Sequence, residues 1–226
     1  MLKTISKTLS ADATCITTFA TGPGYSAIGS ETGKVYIIDH VTYDVTPFQA
    51  HTRPVWALFC TEAIIVSGGQ DSEVRVWDGR TLYALSLSLG QHSIMKPQYT
   101  DQGRTLLDSF TGHTATIRCL QVFDEGRSLI SGSKDRSLRI WRLDGNEEEM
   151  TVLRGHPGTV RHVRVCGDVA VSGGYDGEVR VWDIRAGRCL HVLRGHETVY
   201  AVDFDGKRIV SAGRGGDIKV WDAASG

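Results

Sequence analysis

Residues 155–195, GHPGTVRHVRVCGDVAVSGGYDGEVRVWDIRAGRCLHVLRG, decide how this chain is read. Three short runs, VRHVRV, DVAVSG and EVRVWD, alternate apolar and polar residues as half-buried strands do, and CLHVL supplies a fourth. The turn Gly174-Tyr175-Asp176-Gly177 offers the positive-φ residues that a tight strand connection requires. The unit recurs along the chain. Strands close on an aromatic or aliphatic residue followed by a charge at Ile38-Asp39, Trp77-Asp78, Trp141-Arg142, Trp182-Asp183 and Trp221-Asp222, and three of the four intervals are 39, 41 and 39 residues. Gly-His pairs open the last three units at Gly112-His113, Gly155-His156 and Gly195-His196. A fixed period of about 40 residues marks a repeat architecture in which each unit stacks on its neighbours to bury a shared core.

A Gly-His to Trp-Asp unit of this length resembles the WD40 repeat, over essentially the whole chain. The resemblance implies an all-β fold, a WD40 β-propeller of about five recognisable blades forming a truncated or shortened ring, with one four-stranded sheet per repeat. As one propeller over 1–226, its blades are expected at about 11–50, 51–92, 112–154, 155–194 and 195–226. The sequence stops at Ala-Ala-Ser-Gly, directly after the third strand of the last unit. Residues 1–10, with the run LKTISKTL, are therefore expected to close blade 5 as its outer strand and remove an exposed sheet edge. Trp77 and Trp141 are 64 residues apart, too many for one period. GRTLYALSLSLGQH (79–92) and GRTLLDSFTGH (103–113) each read as an outer strand leading into a new blade, so about 90–111 is either a blade remnant or a surface loop.

The resemblance also implies a structural tetrad in each blade, a hydrogen-bonded chain from Asp through His and Ser to the Trp indole. The matching residues are His51, Ser67, Asp71 and Trp77; His113, Ser131, Asp135 and Trp141; and His156, Ser172, Asp176 and Trp182. The last unit has His196, Ser211 and Trp221, but Gly215 stands where the Asp belongs. The first unit is weakest, with Ala11-Asp12 in place of Gly-His and Ile38 in place of Trp.

Composition narrows the function. Net charge is −1, so no global basic field recruits nucleic acid or an anionic membrane surface. No apolar run approaches the ~18 residues that span a bilayer, and MLKTISKTLSADATC lacks the apolar core of a secretory signal. The five cysteines are odd in number and show no CxxC pairing. Most lie in strand-like stretches, which points to buried reduced thiols and a cytoplasmic or nuclear protein. Gly29-Ser-Glu-Thr-Gly33-Lys34 is one residue short of a phosphate loop and has Val35 where the magnesium ligand would sit. Four of the eight histidines, His51, His113, His156 and His196, occupy tetrad positions, which accounts for them without a metal. The Ser/His/Asp sets recur once per blade, as a catalytic triad would not. No catalytic residue, metal or cofactor is expected, and the chain does not read as an enzyme.

A propeller binds at the rim where its first strands begin. Two positions per unit aim there, the residue after the first apolar position of the first strand and the residue before the turn Asp. They are Trp56 and Gln70, Arg118 and Lys134, Arg161 and Tyr175, and Tyr200 and Arg214. Aromatic and arginine clusters make binding hot spots, and adjacent guanidinium groups suit bidentate capture of phosphate. With the phrases PVWALF, ATIRCLQV, SGSKDRSLRIW, TVRHVRV, SGGYDGEVRVWD, RCLHVLRGH and TVYAVDFDGKRIVSAG, the chain resembles the F-box/WD-repeat substrate receptors, in particular the archipelago type that reads phosphodegrons. The resemblance implies that Arg118 and Arg161 grip a phosphate, with Lys134 as a third cation in place of an arginine. Tyr175, Tyr200 and Trp56 would pack the flanking residues. The implied partners are proteins or phosphopeptides and a ubiquitin-ligase complex, although residues 1–10 are too short to hold an F-box. The alternative is a generic WD40 scaffold that binds unmodified proteins across the same rim.

Overall fold

The computed structural model describes residues 15–79, 98–99, 104–144 and 151–225. They form five antiparallel sheets. Blade 1 is the meander β1 (Ile16–Thr21), β2 (Tyr25–Ser30), β3 (Lys34–Asp39) and β4 (Val45–Gln49). Blade 2 comprises β5 (Val55–Cys60), β6 (Ile64–Gly69) and β7 (Val74–Asp78), followed in the sheet by β9 (Thr105–Phe110) and, outside it, β8 (Gln98–Tyr99). Blade 3 is β10 (Ile117–Phe123), β11 (Ser128–Ser133), β12 (Ser137–Arg142) and β13 (Thr151–Arg154). Blade 4 is β14 (Val160–Cys166), β15 (Val169–Gly174), β16 (Glu178–Asp183) and β17 (Arg188–Arg194). Blade 5 has three strands, β18 (Val199–Phe204), β19 (Arg208–Gly213) and β20 (Ile218–Asp222). No helix among the described residues is long and apolar enough to cross a membrane.

The first strands stand side by side, β1 on β5, β5 on β10, β10 on β14 and β14 on β18. This stacking buries the alternating faces of neighbouring sheets against each other. One cluster joins Cys119, Ile130, Leu138 and Ile140 of blade 3 to Val160, Val163, Ala170 and Trp182 of blade 4. Close approach depends on a glycine in the second strand of each of blades 1 to 4. A Cβ at Gly68 would lie 2.5 Å from Ile117 Cγ2, and one at Gly173 would lie 2.4 Å from Val199 Cγ1. No comparable packing joins β18 to β1 among the described residues, so the described blades form an open arc.

Several expectations change. Blade 2 takes its fourth strand from β9, which pairs with β7 from Val74↔Phe110 to Trp77↔Leu106, and not from the 79–92 run. The insertion therefore lies inside blade 2, and the expected boundaries 51–92 and 90–111 move accordingly. The β9 segment fits that edge because Leu106 packs on the blade 1–2 core while Leu107 and Phe110 pack on the blade 2–3 core. Residues 80–97 and the expected closing strand 1–10 lie outside the described residues. In the 174–177 turn only Gly177 takes positive φ, at 79°, the slot filled by Ser72 in blade 2 and Arg136 in blade 3. All five cysteines are free, and Cys60 and Cys119 are buried. Cys166 is exposed, because it ends β14 where the chain turns at Gly167.

Candidate functional site

Each inner strand carries a β-bulge at its second residue. The pairing register shifts between Val55 and Ala57, Ile117 and Cys119, Val160 and His162, and Val199 and Ala201. The unpaired residues are Trp56, Arg118, Arg161 and Tyr200, four of the rim residues read from the sequence. A bulge re-aims the side chain of its extra residue, and bulges concentrate beside functional sites. The second rim set is placed by one hydrogen bond repeated in four blades. The backbone N–H groups of Gln70, Lys134, Tyr175 and Arg214 donate to the carbonyls of Pro54, Thr116, Thr159 and Thr198. Each therefore sits beside the start of its own inner strand.

These positions meet across blade boundaries. The Arg118 guanidinium carbon lies 4.5 Å from the centroid of the Trp56 ring. Tyr175 and Tyr200 meet edge to face, 6.0 Å between centroids. Burial pushes the Cys119 thiol up to about 12, against the charges of Arg161, Arg164 and Arg118. Arg118, Lys134 and Arg161 form no ion pair among the described residues. Arg214 differs, because its Nη1 lies 3.4 Å from Glu197 Oε1 at the exposed edge of blade 5. Of the rim cations read from the sequence, Arg214 is thus the one with an acidic neighbour among the described residues. Gln70 and Lys134 are exposed at equivalent turns.

Blade 1 also presents a rim that the sequence reading did not extract. Its register shifts between Ile16 and Thr18, so Thr17 is its bulge residue, and the Glu31 N–H donates to Cys15 O as Gln70 does to Pro54 O. The Thr17 hydroxyl donates to the Val55 carbonyl across the blade boundary. Applying the same offsets to the first unit, despite its missing Gly-His, would have found both. The rim thus runs from acidic Glu31 at blade 1 to a cationic centre at blades 3 and 4.

Beneath the rim lie the tetrads. In blade 4 His156 Nδ1 is 2.8 Å from Asp176 Oδ2, Nε2 is 2.7 Å from Ser172 Oγ, and Trp182 Nε1 donates to that Oγ at 2.8 Å. Blade 2 repeats this with His51, Asp71, Ser67 and Trp77, and blade 3 with His113, Asp135, Ser131 and Trp141. Burial raises the pKa of each aspartate, but hydrogen bonds and charge from the histidine override it and hold Asp71, Asp135 and Asp176 below the ordinary value. His156, Asp176 and Glu178 converge closely enough to suggest metal ligands. Their atoms are already engaged, with Glu178 gripped by Arg180 and Arg194 at 2.7 and 2.8 Å.

Blade 5 shows what the aspartate does. His196 Nε2 lies 2.7 Å from Ser211 Oγ, but its buried Nδ1 has no partner among the described residues. Gly215 sits there at φ 87°, and Gly216 holds positive φ in the slot of Gly177. Gly215→Asp is expected to stabilise the protein by about 1 kcal/mol, part of the cost of an unsatisfied buried donor, the remainder being spent on refolding the turn. A thermal melt reads this; an unchanged or lower midpoint would mean that the turn does not adopt the geometry of its siblings.

The chain matches the pattern of the WD domain, G-beta repeat family at residues 43–78, 104–142, 147–183 and 187–222. It is 29% identical over 194 residues to WD repeat-containing protein pop2 of Schizosaccharomyces pombe, covering 71% of this chain and 24% of that protein. It is 40% identical over 81 residues to the F-box/WD repeat-containing protein sel-10 of Caenorhabditis elegans, covering 34% of this chain and 14% of the relative. The chain thus spans a quarter or less of the length of these curated relatives. Among solved structures it superposes on the computationally designed Ika8 protein with a TM-score of 0.74 at 26% identity, over 92% of this chain and 58% of the design.

Proposed function

The chain belongs to the WD40 family and is a protein-interaction module of that fold, and we propose that what it captures is phosphorylated peptide, at the rim of blades 3 and 4, as a non-catalytic substrate receptor linked to ubiquitin-dependent degradation. One observation carries this reading: Arg118 and Arg161 are the bulge residues of adjacent inner strands, Lys134 stands at the turn between them, and none of the three has an acidic partner among the described residues. Cations arranged this way without a counter-charge are completed by an anion. The Arg118 guanidinium lies over the Trp56 ring, and its forked N–H donors suit bidentate capture of a phosphate. Tyr175 and Tyr200 form an aromatic wall beside Arg161 for the residues flanking a phosphate. The F-box/WD likeness of sel-10 supports the link to a ubiquitin-ligase complex, and that setting is cytoplasmic or nuclear.

Fluorescence anisotropy with a threonine-phosphorylated, proline-following peptide and its unphosphorylated twin tests the proposal. Only the phosphopeptide should bind. Arg118→Ala and Arg161→Ala should each weaken binding by roughly 1.5–3 kcal/mol, the scale of hydrogen bonds to a charged group, or about 10- to 150-fold. Equal affinity for the two peptides would overturn the reading in favour of a scaffold for unmodified proteins.

A further inference from the structure

We propose that copies of this chain associate end to end, the β1 face of one copy seating on the β19–β20 face of the next. Within the chain the same interface occurs between each consecutive pair of blades, and its residues can be matched by register. The first residue of each inner strand is Val55, Ile117, Val160 or Val199, and all four are fully buried against the preceding blade. The matching Ile16 of blade 1 is 54% exposed. Three residues on, Leu58, Leu120, Val163 and Val202 are at most 9% exposed, whereas Phe19 is 75% exposed.

The opposite end of the arc shows the other half of this interface. In β20, Ile218 and Val220 are 72% and 64% exposed. Their counterparts Val35 and Ile37, Val74 and Val76, Leu138 and Ile140, and Val179 and Val181 are all buried. Val210 in β19 is likewise exposed where Ala27, Val66, Ile130 and Val171 are buried. The two ends are therefore complementary halves of a surface that the chain already packs between its own blades. Monomeric proteins seldom leave such apolar faces uncovered, and every further copy brings one of each. At the joint Ile16 meets Ala212 where the internal interfaces offer glycine, so this contact is wider by one methyl group.

A contact between unlike faces is heterologous, so it propagates unless its rotation closes. Sedimentation velocity of the whole chain over a range of concentrations should show species larger than a monomer that grow with concentration. Phe19→Asp and Ile218→Asp should each give monomers with an unchanged circular dichroism spectrum, since both side chains are exposed within one copy and the new charge meets water. Mixed in equal amounts, the two variants should form a dimer and nothing larger, because only one intact face of each kind remains. Ala212→Gly should strengthen association. A monomer at every concentration would overturn the proposal. So would a loss confined to one variant, which indicates a contact between like faces, or continued association of both single variants. Phosphopeptide affinity of the monomeric variants should equal that of the parent, since the rim residues lie outside both end faces; the peptide reading thus stands or falls separately.

Discussion

Replacing Trp182 by alanine is expected to cost the protein about 3–5 kcal/mol, the range for truncating a fully buried aromatic. Trp182 is 1% exposed and sits in the core shared by blades 3 and 4, against residues that include Cys119, Ile130 and Val160. Its loss opens a cavity between two sheets held mainly by that packing, and it also removes the indole donor at 2.8 Å from Ser172 Oγ. Trp182→Phe separates the two effects: most of the volume stays, the donor goes, and the cost should fall to about 1 kcal/mol. Trp221, in the same register of blade 5, packs on the blade 4–5 core but is only partly buried, because among the described residues no fourth strand flanks β20 as β17 flanks β16. Trp221→Ala should cost clearly less in urea denaturation of the monomeric Phe19→Asp protein. Equal losses at Trp182 and Trp221 would show that the outer edge of β20 is covered in solution.

The second large effect depends on pH and is centred on His162. Its ring is wedged between blades 4 and 5, with Nδ1 3.0 Å from the Val202 carbonyl. Burial and the neighbouring Arg164 and Arg161 hold its pKa at about 4, against a weaker pull from Asp203. The unfolded chain protonates this ring near the ordinary value of about 6.5. Above that pH both states are neutral and the histidine costs nothing. As pH falls from about 6.5 to 4, the unfolded chain takes up the proton first, so stability drops by about 3 kcal/mol in total. The depressed aspartates of the tetrads act lower, as pH falls below their unfolded value near 4. Urea midpoints at pH 7.5, 5.5 and 4 for the parent and His162→Gln isolate the term. The parent should lose ground to the variant as pH falls, by about that amount, and parallel profiles would refute it.

Much of the fold was legible because a repeat states its rule several times. The offsets linking His156, Ser172, Asp176 and Trp182 are local, and the hydrogen bonds joining them lie within one blade. The rim residues were legible for the same reason, since a bulge at the second position of an inner strand follows from where that strand begins. The contact of Arg214 with Glu197 was not legible in this way, because Glu197 stands on the neighbouring loop and belongs to no repeat position.

The fourth strand of blade 2 could not be settled this way, since 79–92 and 103–113 carry the same opening GRTL and both end in Gly-His or Gly-x-His. The choice was made by side chains on other blades, where Leu106 and Phe110 find apolar partners on both flanks of β9. The chain by itself thus determined the sheet built from each repeat, the tetrads and the placing of Trp56, Arg118, Arg161 and Tyr200, all consequences of short-range periodicity. Only the tertiary structure decided which cations have a counter-charge and which faces of blades 1 and 5 lack a neighbour among the described residues. Both depend on what stands next to a residue across a blade boundary, and periodicity along one strand carries no record of its neighbour's far side.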